Sequence, residues 1–180
     1  GKVCDLRLAS NSSIAKMVIP QRFIRALSAP KIDAELSCKG SKCQIRQPTQ
    51  VSLLGAHLKQ NEQEALPKKA DDPRVYDQDG DGKPGMTDGV TGWVDGEVYI
   101  TQRTVARWSG QSRKGGFEGR VRVVTEQNVL DASSFLLKRD VNVIPLHESS
   151  FFRLETFSGT SCAQAKRQAR NILIAQKKKP

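Results

Sequence analysis

Residues 95–105 have the sequence Asp-Gly-Glu-Val-Tyr-Ile-Thr-Gln-Arg-Thr-Val, which is the clearest structural signal in the chain. The Asp95-Gly96 pair favours a tight turn between two strands. The residues after it are rich in β-branched and aromatic types, which favour extended structure. This run can fold back onto residues 91–94, so we predict a β-hairpin here.

Other segments on both sides of this hairpin also have the composition or alternation of short strands. The predicted strands cover residues 3–9, 32–38, 43–46, 51–58, 117–129, 134–138 and 150–157. Two segments have helical spacing instead: residues 19–27, with Pro20 in the first turn, and the Ala-rich residues 162–176. Residues 59–75 have little apolar content and two prolines, so we expect a surface excursion rather than a domain linker.

These elements predict a mainly β fold in a single domain, residues 1–180. About eight or nine short strands joined by tight turns are typical of an antiparallel barrel or sandwich. A meander of sequential strands closes most simply into a barrel, so we predict an antiparallel up-and-down barrel. A short N-terminal helix and a C-terminal helix complete the predicted fold. No apolar run approaches the ~20 residues of a membrane-spanning helix, which excludes an integral helical membrane protein.

Four cysteines, Cys4, Cys38, Cys43 and Cys162, suggest disulfide bonds. Cys38 and Cys43 flank a short turn that contains glycine, as in a bridged hairpin. We favour the pairing Cys38–Cys43 with Cys4–Cys162, and the other pairings or four free thiols are the alternatives. The ligand spacing disfavours a zinc site. Such bridges imply an oxidising compartment, so we predict a secreted, periplasmic or cell-surface protein.

Residues 77–88, Asp-Gln-Asp-Gly-Asp-Gly-Lys-Pro-Gly-Met-Thr-Asp, form the most informative segment for function. Alternate carboxylates in a tight turn converge on one point, and a hard cation prefers such oxygen ligands. The predicted ligands are Asp77, Asp79, Asp81, the Lys83 backbone carbonyl and Asp88. The pattern resembles the calcium loops of EF-hands, dockerins and thrombospondin type 3 repeats, and the resemblance implies Ca²⁺ as the cofactor.

The resemblance covers 12 of 180 residues and departs from the EF-hand pattern. Position twelve is Asp88 rather than a longer Glu, and Pro84 follows position seven. Pro73 precedes the loop, where an EF-hand has a helix. We therefore predict a structural calcium site in a long surface loop, residues 59–90, rather than a calcium switch. The alternative is a turn whose acidic side chains are merely solvated.

A longer neighbourhood, from Leu66 to Gly85 and again from Gly96 to Arg103, resembles uncharacterised bacterial exported proteins with a lipocalin-like barrel. This resemblance implies a barrel of the calycin or lipocalin type for the predicted fold. It also implies an exported binding or envelope protein, and it supplies no catalytic residues.

The chain has a net charge of +10, and its basic residues are spread through the body and clustered near the C-terminus. We predict that residues 163–180 form a basic C-terminal helix or tail, which could contact a protein partner. A basic surface attracts polyanions, so an anionic polysaccharide or lipid surface is an expected partner. A solvated basic face is the alternative. No RNA-binding aromatic signature or zinc-finger spacing is present, which disfavours specific nucleic-acid recognition.

Trp93 and Trp108 bracket the hairpin, and they would line a pocket for a small apolar ligand if both face a barrel lumen. Two core tryptophans are the alternative. His57 and His147 have no nucleophile motif beside them, although Cys162 with a nearby histidine would make a nucleophile and base. We therefore favour an exported, non-catalytic protein that binds a small ligand or an anionic envelope component. A secreted hydrolase without a recognisable motif and a structural or adhesive subunit are the alternatives.

Overall fold

The computed structural model describes residues 3–4, 15–27, 33–59, 63–138 and 150–177, with backbone alone for Ala15 and residues 172–177. Seven strands and two α-helices lie within these ranges. In chain order they are β1 (Ala15–Val18), α1 (Gln21–Ala26), β2 (Glu35–Lys39), β3 (Lys42–Leu54), β4 (Met86–Gly92), β5 (Gly96–Arg113), β6 (Gly116–Ala132), β7 (Phe151–Glu155) and α2 (Cys162–Lys177). A single 3-10 turn, Phe135–Leu137, follows β6.

One antiparallel sheet contains all seven strands, and β5 lies at its centre. One edge of β5 pairs with β6 along nearly its whole length. The other edge of β5 pairs first with β4 and then with β3, so these two strands lie end to end beside it. β1 extends the sheet from β4, β2 from β3, and β7 from β6. The sheet curls into a half-barrel.

A closed up-and-down barrel of the calycin or lipocalin type is not confirmed. Within the described part of the chain, β1, β2 and β7 each pair along one edge, and no ladder joins them to one another. The sheet differs from an up-and-down barrel at β3 and β4, which follow each other in sequence but do not pair. Because β5 has 18 residues, it can hold both strands along one edge, whereas an up-and-down ring needs each strand beside the next.

Most of the predicted elements are confirmed. The pairs β2–β3 and β4–β5 are the predicted hairpins, and β6, β7 and both helices lie where the sequence places them. The strand predicted at residues 51–58 is the end of β3, which stops at Leu54. The strand predicted at 134–138 is wrong, because the Ser134 hydroxyl accepts the Leu136 N–H and stabilises the 3-10 turn. β1 is absent from the prediction, and the strand expected at 3–9 lies largely outside the described residues.

The hydrophobic core lies at one end of the sheet. Six buried side chains form its centre: Phe23, Met86, Val90, Val98, Ile100 and Val129. α1 takes part through Phe23, the buried residue of that helix. We call this end the packed half, and it comprises α1, β1, β4, residues 96–102 of β5, residues 127–132 of β6 and residues 55–59 and 63–85, the described part of the segment that we call the loop 55–85.

The other end of the sheet is built differently. It comprises β2, residues 42–53 of β3, residues 103–113 of β5, residues 116–126 of β6, and β7, and we call it the open half. Gln47 is the one buried side chain among these residues, all of which are described. Trp108 and Phe152 pack together on one face, with ring centroids 4.5 Å apart. The opposite face carries mainly exposed polar and charged side chains.

The loop 55–85 is only partly the surface excursion expected from the sequence. Leu66 is 2% exposed, and Pro67 is also fully buried. The Thr101 hydroxyl donates a hydrogen bond to the Pro67 carbonyl at 2.9 Å, and the Asn128 amide donates to the same oxygen at 3.2 Å. These contacts hold the middle of the loop against β5 and β6, which brings the acidic segment 77–85 to the sheet.

Both predicted disulfide bonds are present, Cys38–Cys43 and Cys4–Cys162, and no described cysteine is free. The first joins residues that lie directly opposite each other in the β2–β3 ladder. The second links residues 158 positions apart, so it ties α2 to the start of the chain. Two disulfides are consistent with an extracellular or otherwise oxidising compartment. Neither described helix has the length and apolarity needed to cross a membrane.

Candidate metal centre

The acidic segment is closed at its base by two backbone hydrogen bonds. The Gln78 N–H donates to the Gly85 carbonyl at 2.9 Å, and the Gly85 N–H donates to the Tyr76 carbonyl at 3.1 Å. Gly85 has a φ of +85°, and a Cβ at this position would lie 2.3 Å from the Ile100 carbonyl oxygen. Only glycine therefore allows the loop to approach the sheet this closely.

Asp77 organises the turn that follows it. Its carboxylate accepts the backbone N–H groups of Gly80 at 2.8 Å, Asp81 at 3.2 Å and Gly82 at 2.8 Å. Burial opposes ionisation of this group, but the three backbone hydrogen bonds lower the pKa of Asp77 below its usual value. The turn therefore holds Asp77 as a carboxylate, the form that can bind a cation.

Asp77, Asp79 and Asp81 form the cluster that the spacing predicts. Each offers a carboxylate oxygen, and these atoms lie within 4.8 Å of one another. Asp81 is held by the Lys83 N–H at 2.9 Å and by the Thr87 hydroxyl at 2.8 Å, both of which donate to it. The structure thus brings three of the predicted ligands together in an arrangement that could hold a metal ion.

Asp79 is the unusual member of this cluster. Its side chain is 0% exposed, and neither of its oxygens has a hydrogen-bond partner among the described residues. Burial, followed by the negative charge of Asp81, raises the pKa of Asp79. A buried carboxylate without hydrogen bonds is costly unless a cation compensates it.

Asp88, the predicted last ligand, lies in β4 rather than in the loop, because the strand begins at Met86. It is 4% exposed, and its Oδ1 atom also lacks a hydrogen-bond partner among the described residues. Burial raises the pKa of Asp88 to about 7, and the charge of Asp79 adds to this effect. Asp88 is not part of the cluster of three. A role for the Lys83 carbonyl stays a prediction.

Arg22, which reaches the cluster from α1, is a site residue that the sequence patterns do not indicate. Its Nε atom lies 3.3 Å from Asp79 Oδ2, and its Nη2 atom lies 3.1 Å from Asp81 Oδ2 and 2.5 Å from Glu97 Oε1. The hydrogen bond to Glu97, opposed by burial, raises the pKa of Arg22. Nothing in the local pattern around Arg22 indicates this contact, because the acidic loop is remote from it in sequence.

The charges around the cluster do not balance. Arg22 pairs with three carboxylates, and two more belong to the cluster or lie beside it, so one guanidinium and five carboxylates give a formal charge of −4, or −3 when Asp88 is protonated. The five are Asp77, Asp79, Asp81, Asp88 and Glu97. A divalent cation would neutralise two of these negative charges. The ligand atoms are all carboxylate oxygens, which suit a hard cation rather than zinc.

The other candidate residues do not form a second site. Trp93 is 87% exposed in the β4–β5 turn, while Trp108 packs on Phe152, and the two tryptophans do not share any described cavity. The His57 ring stacks on Tyr76, with centroids 4.1 Å apart. His147 and Glu148 lie outside the described residues. Cys162 is in a disulfide bond and cannot act as a nucleophile in this state.

Comparison with known proteins found no matching family model, no matching curated protein and no matching solved structure.

Proposed function

We propose that this chain is an exported, non-catalytic binding protein whose acidic loop holds a structural Ca²⁺ ion. The observation that carries the proposal is the state of Asp79, a fully buried carboxylate without hydrogen bonds, next to two further carboxylates. Proteins rarely leave such a group uncompensated, and Arg22 contacts only one of its oxygens as an ion pair.

Calcium fits this donor set better than other common ions. It takes about six to eight oxygen ligands at roughly 2.3–2.6 Å in flexible geometry, and neighbouring carboxylates and loop carbonyls can supply them. Magnesium needs a nearly ideal octahedron and keeps several waters. Zinc prefers thiolates and imidazoles, and the cluster contains neither.

The position of the loop supports a structural role for the ion. The backbone closure between Tyr76, Gln78 and Gly85 forms the loop without a metal. Asp81 is already tied to α1 by its ion pair with Arg22 and to β4 by the Thr87 hydroxyl, so an ion bound to the cluster would fix a loop that lies against both elements. Such a site stabilises one conformation rather than switching between two.

The two disulfide bonds support the part of the proposal that places the protein in an oxidising compartment. A non-catalytic role is supported by the described residues, where the one described histidine, His57, stacks on Tyr76 instead of facing a nucleophile. The net charge of +10 supports an anionic envelope component as the bound partner.

Calcium titration of matched variants tests the proposal. Asp79→Asn removes a buried charge while keeping the shape of the side chain, and Asp71→Asn removes an exposed charge from the same loop as the control. Wild type and Asp71→Asn should bind one Ca²⁺ by calorimetry. Both should gain about 2.7 kcal/mol of unfolding free energy when calcium is present at 100 times its Kd.

Asp79→Asn should fold at least as well as wild type in EDTA, because it no longer buries a charge, and it should lose the gain from calcium. Equal, weak heats of calcium binding in all three proteins would contradict the proposed calcium site. A stronger response to Mg²⁺ or Zn²⁺ than to Ca²⁺ would retain a metal site but overturn the choice of ion.

A further inference from the structure

Four arginines lie on one face of the open half. Arg107 on β5 lies directly opposite Arg122 on β6, and Ser109 lies opposite both Arg46 on β3 and Arg120 on β6. Directly opposed residues share a face of a sheet, and so do residues two positions apart on one strand. All four arginines are exposed.

These arginines line one continuous groove. Three adjoining depressions, with volumes of about 690, 680 and 320 Å³, follow this face of the sheet. Arg120 lines all three depressions, while Arg107 and Arg122 line the first and third. Arg46 lines the second and third. Glu118, which pairs with Arg113, also lines the second depression, so the groove is long and open and carries a net positive charge.

The arrangement is difficult to explain by stability alone. Like charges directly opposite each other across a ladder are destabilising, as for Arg107 and Arg122. Arg46, Arg107 and Arg122 form no ion pair with any described carboxylate, whereas Arg103 and Arg113 in the same half pair with glutamates. An anion that binds several guanidinium groups would relieve this repulsion.

We propose that this groove binds a strand of acidic polysaccharide through its carboxylate groups. The proposal rests on the exported binding function given above but does not involve the metal centre, which lies in the packed half. Guanidinium groups bind carboxylates with two parallel hydrogen bonds. Opposed arginines have Cβ atoms roughly 5 Å apart, and arginines two positions apart on a strand are separated by about 7 Å. A chain with repeated carboxylates can meet such an array.

The rest of the groove lining suits a sugar chain. Gln44, Gln111 and Ser109 line the second depression and offer amide and hydroxyl groups to sugar hydroxyls. Val105 and Val124 line the first depression and offer apolar contact to the faces of sugar rings.

Aromatic side chains argue for a polysaccharide over a single-stranded nucleic acid. Nucleic-acid grooves use a series of aromatic rings on which successive bases stack. In this groove Phe151, which is 54% exposed and opposite Arg120, offers an open ring, while Trp108 and Phe152 pack against each other on the opposite face of the sheet. One open ring among several arginines matches a charged sugar chain better than a stacked strand of bases.

Oligogalacturonate of ten residues, a carboxylated glycan, is a suitable probe in a fluorescence anisotropy or calorimetric titration. The double variant Arg107→Ser with Arg122→Ser should weaken its binding about tenfold or more, because it removes two guanidinium groups that bind carboxylates. The control, Lys166→Ser with Arg170→Ser on α2, changes the net charge equally and should leave the affinity within about twofold. Circular dichroism verifies that each variant is folded. The variant Arg122→Lys keeps the charge and tests whether the bidentate geometry of arginine is needed.

Three outcomes would overturn the proposal: no binding by folded wild type, equal weakening in both double variants, or tighter groove-dependent binding of oligo(dT) or phosphatidylglycerol vesicles than of oligogalacturonate. The titration is run in EDTA and again with Ca²⁺, and the Asp79→Asn variant is included. Normal glycan binding by Asp79→Asn with no calcium response in any protein would remove the metal site and keep the groove. Calcium binding without glycan binding would support the metal site and overturn the groove proposal.

Discussion

The packed half and the open half share β5 and β6 but differ in what covers those strands. In the packed half, α1 and the loop 55–85 lie against the sheet, and Met86 and Ile100 are completely buried. In the open half the same two strands continue with alternating half-buried and exposed side chains. The ladder of hydrogen bonds between them is shared by both halves. A sheet can therefore extend beyond the hydrophobic core when neighbouring strands satisfy the backbone hydrogen bonds of the extension.

The two halves also differ in charge. The acidic cluster lies in the packed half, where the Asp79 side chain is fully buried beside Arg22 while Asp77 stays exposed. The groove arginines lie in the open half, where solvent and space remain available to a large anion. Under the two proposals, the first half contributes rigidity and the second half contributes binding. The following predictions test whether the halves are as different in energy as they are in packing.

The largest difference is expected between two glycines with almost the same backbone angle. Gly85 in the packed half and Gly115 in the β5–β6 turn at the end of the open half have φ values of +85° and +84°. A Cβ at Gly85 would lie 2.3 Å from the Ile100 carbonyl oxygen, whereas nothing lies within 4 Å of a Cβ at Gly115. We expect Gly85→Ala to cost at least about 3 kcal/mol of unfolding free energy and Gly115→Ala about 1 kcal/mol, measured by urea denaturation. Equal costs would show that the loop is not held tightly against β5.

A smaller difference is expected between two valines that receive the same change. Val98 is 2% exposed in the packed half, and Val124 is 63% exposed in the open half. Val98→Ala should cost about 2–3 kcal/mol because it removes buried methyl groups and leaves a cavity. Val124→Ala should change the unfolding free energy by less than about 0.5 kcal/mol. A comparable cost for both would mean that the open half is covered in solution, by another molecule or another part of the chain.

The smallest effect concerns the ion pairs that hold the loop of the packed half. Arg74 donates to both oxygens of Asp72, and its hydrogen bonds lower the pKa of Asp72 from 3.8 to about 2. The pKa is depressed in the folded state, so the stabilisation is present above pH ~4 and is lost as the pH falls towards 2. Asp72→Asn should therefore be less stable than wild type at pH 6, and the difference should shrink below pH ~4 and vanish as the pH falls through ~2 in chemical denaturation. If the difference in unfolding free energy between the two proteins did not change with pH, the ion pair would not be its cause.

The acidic cluster shows what can be predicted from sequence. Asp77, Asp79 and Asp81 alternate within five residues, so the turn alone brings their carboxylates together. Arg22 could not be found in this way, because only the packing of α1 against β4 places it beside them. The sequence also does not predict the burial of Asp88, because this depends on β4 beginning at Met86 and lying within the core.

The groove illustrates the same limit for the fold. Alternating residues predicted β6, and therefore predicted that Arg120 and Arg122 share a face. The sequence could not show that Arg107 and Arg46 join them, because this requires the register of three strands from distant parts of the chain. Register is set by how whole strands bury their side chains, including the irregularity between Gln47 and Gln50 in β3.

The sequence by itself determined the features that depend on neighbouring residues: the hairpin turns, most of the strands, the two helices and the acidic turn. It also indicated the Cys38–Cys43 bridge, because a short turn separates these residues. Tertiary structure alone decided that β3 and β4 share one edge of β5, that Asp79 is buried beside Arg22, and that the arginines align. The physical reason is that local patterns set backbone conformation and side-chain direction, while burial and charge balance arise only when distant segments pack together.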